Sequence, residues 1–143
     1  MMPNLVVDSS VAIKWFVPEP YSHEARRILD GYLTRALSFI APDLINAEVG
    51  NIVWKKHVFQ GLAADDAKLV LDNFRKVNFT LTSTANLVDE AYELAVVHHR
   101  SVYDMLYLAL SVRENCDFVT GDERLVNAIG SLFPNMIWLA NWP

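Results

Sequence analysis

Short apolar runs alternate with stretches of helical period along the whole chain, and that alternation predicts an α/β fold. Leu5-Val6-Val7 reads as a buried strand, followed by a short helix that Ser9 or Ser10 caps. Pro18 and Pro20 then break the chain. From Tyr21 to Leu37 the residues Ala25, Ile28, Leu29, Tyr32, Leu33, Ala36 and Leu37 recur at three-four spacing, which predicts one amphipathic helix. Phe39 to Ala41 is a second strand closed by Pro42, and Asp43 caps a helix with Leu44, Val49, Ile52 and Val53 among its apolar positions. Ala64 to Lys76 is a helix with Ala67, Val70, Leu71 and Phe74 inward. A strand at Phe79 to Leu81 precedes helices at Leu87 to His99 and Asp104 to Glu114. Phe118 to Thr120 is a strand that turns at Gly121 into a helix from Asp122 to Ile129, and Met136 to Leu139 closes the sheet. Strands separated by one or two helices make an α/β sandwich on a mostly parallel sheet, whose working site lies beyond the carboxyl ends of the strands.

Composition narrows the class. The 143 residues are 52% hydrophobic and 20% charged, without repeat, linker or low-complexity tract, so a single domain spanning 1–143 is expected. One cysteine, Cys116, excludes an internal disulfide framework and a cysteine-based zinc finger, and it fits a reducing compartment. Leu5-Val6-Val7 ends at Asp8, far short of a signal-peptide core. The uncharged stretch after Arg124 is interrupted by Asn127, Gly130, Ser131, Pro134, Asn135 and Asn141, which a lipid-embedded helix does not tolerate. The expectation is a soluble cytoplasmic protein with no membrane contact, in which the sequon Asn78-Phe79-Thr80 is a chance match. A net charge of −5 argues against holding long nucleic acid by bulk electrostatics. It leaves room for an enzyme that meets phosphates through bound divalent cations.

Four carboxylates follow from the element boundaries. Asp8 comes directly after the first strand, and Asp122 lies two residues past Thr120. Glu48 and Asp104 stand in early turns of helices, among Leu44, Ile45, Val49 and Ile52 and at the head of Met105-Leu106-Tyr107-Leu108-Ala109-Leu110. A parallel sheet brings all four to one edge. Like charges within a few ångströms raise one another's pKa, and hard divalent cations such as Mg²⁺ or Mn²⁺ relieve that repulsion through oxygen ligands. Two such ions activate water and stabilise a leaving oxygen in phosphodiester cleavage. A plainer account makes Asp8 and Asp122 helix caps and sets Asp104 favourably in a helix dipole. Glu48 resists it, because a charge on an apolar face is rarely buried without a partner.

The sequence also resembles a known family. Leu5-Val6-Val7-Asp8-Ser9-Ser10-Val11-Ala12-Ile13-Lys14-Trp15-Phe16 looks like the opening of a PIN-domain ribonuclease of the VapC toxin type. Ala47-Glu48-Val49, Tyr103 to Leu110, and Val119-Thr120-Gly121-Asp122-Glu123-Arg124-Leu125 resemble the remaining three motifs, in order over essentially the whole chain. The resemblance implies a PIN-like α/β/α sandwich and a Mg²⁺- or Mn²⁺-dependent endoribonuclease with Asp8, Glu48, Asp104 and Asp122 as its catalytic, metal-holding quartet. It implies an antitoxin partner and a homodimer. Some relatives carry a further aspartate soon after the last motif's aspartate; here Glu123 follows directly, and a solvated first-turn glutamate is the favoured reading. Taking the quartet from 17 acids leaves 13 against 12 basic residues, so metal loading is expected to precede tight RNA binding.

The neighbours of these motifs each have two readings. Ser10 and Thr120 either orient a metal-bound water or phosphate, or close local turns. His98, His99 and Arg100 either meet RNA phosphates or serve as helix C-terminal cations, and the second is favoured. Trp15 and Phe16 either stack on a base or pack against the core or a partner chain, whereas Trp54 and Phe59 cannot share one buried face, so at least one meets an antitoxin or a second subunit. Lys55, Lys56, Arg26 and Arg27 read as solvated faces. A phosphoacceptor domain would need a lysine at a late strand end, and none follows Lys76. A non-catalytic PIN-like module that binds RNA or protein is the alternative to the enzyme.

Overall fold

The computed structural model describes residues 2–143. Five strands form one sheet: β1 (Asn4–Val7), β2 (Ser38–Pro42), β3 (Thr80–Thr82), β4 (Asp117–Thr120) and β5 (Met136–Trp138). Their order is β3-β2-β1-β4-β5, and every pairing is parallel rather than mostly so. The helices are α1 (Ser9–Ala12), α2 (Ser22–Leu33), α3 (Leu44–Gln60), α4 (Ala64–Arg75), α5 (Val88–His98), α6 (Val102–Arg113) and α7 (Glu123–Ile129). The result is the expected α/β/α sandwich.

The register places the site. Val6 pairs with Ile40 on one side and Phe118 on the other, and the row continues to Thr80 and Met136. Side chains alternate faces with period two, so Asp8 lies on the same face as Val6, and Thr120 on the same face as Phe118. Both stand one step past the row, on neighbouring strands at the carboxyl edge. α6 packs on β1, β2 and β4, and its residues Met105 to Ser111 are buried without interruption. A helix buried all round needs no polar stripe, which is why this stretch reads as a plain apolar run.

Several boundaries differ from the sequence expectation for identifiable reasons. α2 stops at Leu33, not Leu37, because Arg35 turns left-handed (φ 61°). Ala36 and Leu37 then donate back to the Gly31 carbonyl at 2.8 and 3.1 Å. This is a left-handed helix stop, and it folds Leu37 over Gly31. The cap of α1 is Asp8, whose Oδ1 accepts from the Val11 amide, and not Ser9 or Ser10. Asp43 makes no cap bond for α3; its Oδ1 accepts instead from the Thr84 amide at 3.1 Å, tying the start of α3 to the chain after β3.

Trp15 belongs to the core. Its ring stacks on Phe39 at 5.1 Å, and Tyr32 stacks on Phe39 at 4.8 Å. The indole Nε1 donates to the buried Ala25 carbonyl at 2.8 Å. Base stacking on Trp15 is therefore excluded in this fold. Trp15→Phe is expected to lower unfolding stability by about 2 kcal/mol, because the Ala25 carbonyl loses its donor and part of the ring volume goes. Denaturant unfolding monitored by circular dichroism measures it. Trp54 and Phe59, by contrast, are 51% and 71% exposed and meet edge to face at 5.6 Å. Among the described residues no helix is long and apolar enough to cross a membrane.

Candidate active site

Asp8 is the buried member of the carboxylate group, with only 7% of its surface exposed. Three donors surround it. Ser10 Oγ donates to Oδ1 at 2.5 Å, the Val11 amide donates to the same oxygen at 3.2 Å, and Thr120 Oγ1 donates to Oδ2. Burial nevertheless outweighs these bonds and pushes the carboxyl up to about 6, with the charge of Glu48 adding to the rise.

Ser10 and Thr120 do two jobs each. Ser10 Oγ also accepts from the Gly121 amide at 2.8 Å, and Thr120 Oγ1 accepts from the Asp122 amide at 3.1 Å. Both hydroxyls thus close a local turn and also link the start of α1 to the end of β4. The local-turn reading holds for both residues, and each hydroxyl in addition donates to Asp8.

Glu48 projects from the second turn of α3 and is half-buried. Its Oε1 accepts from Tyr107 OH and from Ser9 Oγ at 3.3 Å. Burial raises its pKa against those donors, and Asp104 raises it further. Asp104 sits in the first turn of α6, where Ser101 caps the helix by accepting the Asp104 amide at 3.1 Å. Burial and then the charge of Asp122 push Asp104 up, while Arg100, with Nη2 3.6 Å from Oδ2, works the other way. Asp122 caps α7 by accepting the Leu125 amide at 3.1 Å. Glu123 beside it is exposed.

Charge coupling therefore runs from Asp8 to Glu48, on to Asp104 and on to Asp122. The four predicted residues share one edge of the sheet. Among the described residues, however, no three carboxylate, imidazole or thiol groups stand close enough together to ligate one ion. The donor set suits a hard cation in kind, being all oxygen and mutually repelling.

Tyr107 was hidden in the sequence inside an apolar run. Its signal was the spacing: three residues after Asp104 on α6, it shares that helix face. Burial first, then the charge of Glu48 and the bond to it, push its phenol pKa well up, so it stays a neutral donor. Tyr107→Phe takes one donor from Glu48 and raises that carboxyl's pKa. Divalent-ion binding is expected to weaken about tenfold at pH 6 and less at pH 8, as calorimetric titration will report.

Of the remaining candidates, Arg100 reaches the cluster through Asp104. His98 meets the ring of Phe133 edge-on at 5.3 Å, and His99 ends α5 in a left-handed turn. Arg100 Nε is buried without a hydrogen-bond partner among the described residues. Lys56 is not a solvated face: with Lys14 it grips Glu19, and both ammonium side chains are 13% exposed. Cys116 is half-buried, and burial raises its thiol pKa, so it is not poised to react.

Residues 5–130 match the PIN-domain family. Ribonuclease VapC3 of Pyrobaculum aerophilum is 32% identical over 132 residues, which are 90% of this chain and 97% of that protein. Among solved structures, PAE2754 of Pyrobaculum aerophilum superposes with a TM-score of 0.68 at 20% identity, over 96% of this chain and 85% of its own. A toxin–antitoxin complex from Klebsiella pneumoniae gives 0.63 at 15% identity, over 93% and 95%. Those two likenesses concern the fold, whereas the match over residues 5–130 and the VapC3 identity concern descent. The chain belongs to the PIN-domain family, as a protein of the VapC type.

Proposed function

We propose that this protein is a divalent-metal-dependent endoribonuclease, the toxin of a toxin–antitoxin pair, that hydrolyses RNA phosphodiesters. The observation that carries the reading is the chain of mutually repelling carboxylates, Asp8, Glu48, Asp104 and Asp122, at the carboxyl edge of a parallel sheet. Kinship to Ribonuclease VapC3 supports the choice of RNA. Bound Mg²⁺ or Mn²⁺ would supply activation of water and stabilisation of the leaving oxygen. The protein's own groups do the rest. Asp8, held by Ser10, Thr120 and the Val11 amide, is fixed in orientation, and Glu48 is fixed by Tyr107 and Ser9. Asp104 and Asp122, each at a helix start, offer the outer oxygens. The guanidinium of Arg100, with Nη2 3.6 Å from Asp104 Oδ2, supports a contact to a substrate phosphate.

A cognate antitoxin, a second copy of the chain and a cytoplasmic setting belong to the same proposal. The exposed Trp54 and Phe59 and the apolar side chains Val96, Val97 and Val112 support contact with another protein. The non-catalytic alternative draws on the spread of the carboxylates, which do not converge on one point. Incubation of purified protein with RNA pools and Mg²⁺ or Mn²⁺ decides between them. Cleavage should vanish with chelator and in Asp104→Asn. Retained cleavage in that variant removes the assignment, and absence of any divalent-ion binding heat would favour the binding module.

A further inference from the structure

We propose that the cleft between α1 and α3 is a phosphate subsite that holds the RNA backbone beside the carboxylates, through Lys14, Lys55 and Lys56. The inference rests on the nuclease reading for its substrate and on the cleft itself for its chemistry. The cleft has a volume of about 300 Å³ and is lined by Ser10, Lys14, Glu19, Lys55, Lys56 and Gln60, among others. Three cations against one acid give it a local surplus of positive charge in a chain whose net charge is −5. A nucleic-acid strand approaching an acidic protein needs such a place.

Its position follows from two contacts. Ser10 lines the cleft, and its hydroxyl donates to Asp8 and accepts from the Gly121 amide. A Cβ on Gly121 would lie 3.0 Å from Ser10 Oγ and 3.4 Å from Lys14 Cε, so the stem of Lys14 crosses over Gly121, next to Asp122. The cleft thus opens one side chain away from two of the four carboxylates. A strand whose scissile phosphate lies at those carboxylates runs on into it.

Glu19 organises the lysines without exhausting them. Desolvation alone would raise its pKa, but bonds from Lys56 and Lys14 and their charges hold it below the ordinary value. Lys14 Nζ is 3.1 Å from Oε1, and Lys56 Nζ bonds Oε2. Each ammonium has three protons and gives one to Glu19, so further donors remain. Two flexible side chains are already ordered before a ligand arrives, which reduces the entropy lost on binding. Lys55 is exposed and has no ion pair among the described residues, so its charge is free for a phosphate.

The test uses the full-length chain carrying Asp104→Asn, so that RNA remains uncut, and a short fluorescein-labelled single-stranded RNA as probe. Polarisation titrations are run across a salt series. Lys14→Gln, Lys55→Gln and Lys56→Gln should each weaken binding about three- to tenfold at low salt and reduce the salt slope by about 0.7. Lys56→Arg should restore it. Glu19→Gln should tighten binding, whereas an ion triad with a purely structural role predicts no gain. If Glu19→Gln does not fold, Lys55→Gln decides alone, because that side chain supports nothing else.

Unchanged affinity and slope in all three lysine variants overturn the proposal, and so does a probe that binds neither this parent nor the metal-loaded wild type. Loss of binding to a polyglutamate peptide with RNA binding intact also overturns it and assigns the cleft to an acidic protein partner. The two readings fail separately. Metal-dependent cleavage with lysine-independent binding removes the cleft only, and lysine-dependent binding in a protein that never cleaves removes the nuclease only.

Discussion

Asp8→Asn is expected to abolish RNA cleavage and, without divalent ions, to make the protein more stable. The carboxyl is buried and its pKa is pushed up from 3.8 to about 6. The folded state therefore binds this proton more tightly than the unfolded chain does. Stability from this group is complete below pH ~4 and is lost as pH rises through ~6, a total of about 3 kcal/mol. Asparagine removes the charge and with it the loss. The amide cannot accept from Thr120 and Ser10 on both sides at once, so about 1 kcal/mol of hydrogen bonding is given back. The net gain is about 2 kcal/mol at pH 7.5, falling towards zero or below at pH 5.

Thermal melts in chelator at the two pH values check the sign. Excess Mg²⁺ should narrow the gap by stabilising the wild type through mass action. Cleavage should fall by more than about a hundred- to a thousandfold, the scale set by removal of a single electrostatic group from a reacting site. A variant that is less stable at pH 7.5 than the wild type would mean that Asp8 is held as a structural cap and that its charge is already compensated.

That rival was visible from the sequence, and the structure explains why it was hard to separate. Asp8 is a helix cap: the Val11 amide bond is there. It is also buried and coupled to Glu48, which no reading of residues 5–12 alone reveals. The parallel sheet and the gathering of the four carboxylates at one edge were legible because a βα alternation puts the carboxyl ends of the strands on one side, whereas the strand order was not. Tyr107, Lys56 and Glu19 were not. Tyr107 lay inside an apolar run, where one polar atom on a buried helix has no periodic signature. Lys56 and Glu19 are 37 residues apart, and their ion pair depends on how α3 crosses the segment after α1. Helix ends failed for a related reason. The apolar stripe of α2 continues to Leu37, but a left-handed Arg35 turns the chain before the stripe is used up.

Thr120→Val tests whether the β4 hydroxyl acts on Asp8 or only on its own turn. Valine has nearly the same shape, and Thr120 is fully buried, so packing is unchanged and the hydroxyl alone is removed. Asp8 loses its donor at Oδ2, and the Asp122 amide loses its acceptor. A bond to a charged group is worth about 1.5–3 kcal/mol, against about 1 kcal/mol for a neutral one. The expected destabilisation at pH 7.5 is therefore about 3 kcal/mol, with metal affinity and cleavage falling about ten- to a hundredfold. Losing the donor raises the Asp8 pKa further, so the stability deficit should shrink as pH falls to 5 and Asp8 becomes neutral. Repeating the substitution in Asp8→Asn completes a double-mutant cycle. There the charge is gone, and Thr120→Val should cost only about 1–2 kcal/mol, leaving a coupling of about 1–2 kcal/mol between the two positions. An equal cost in both backgrounds would place the whole effect on the Asp122 amide. Thr120 would then be a turn residue, and the orientation of Asp8 would rest on Ser10 and the Val11 amide alone.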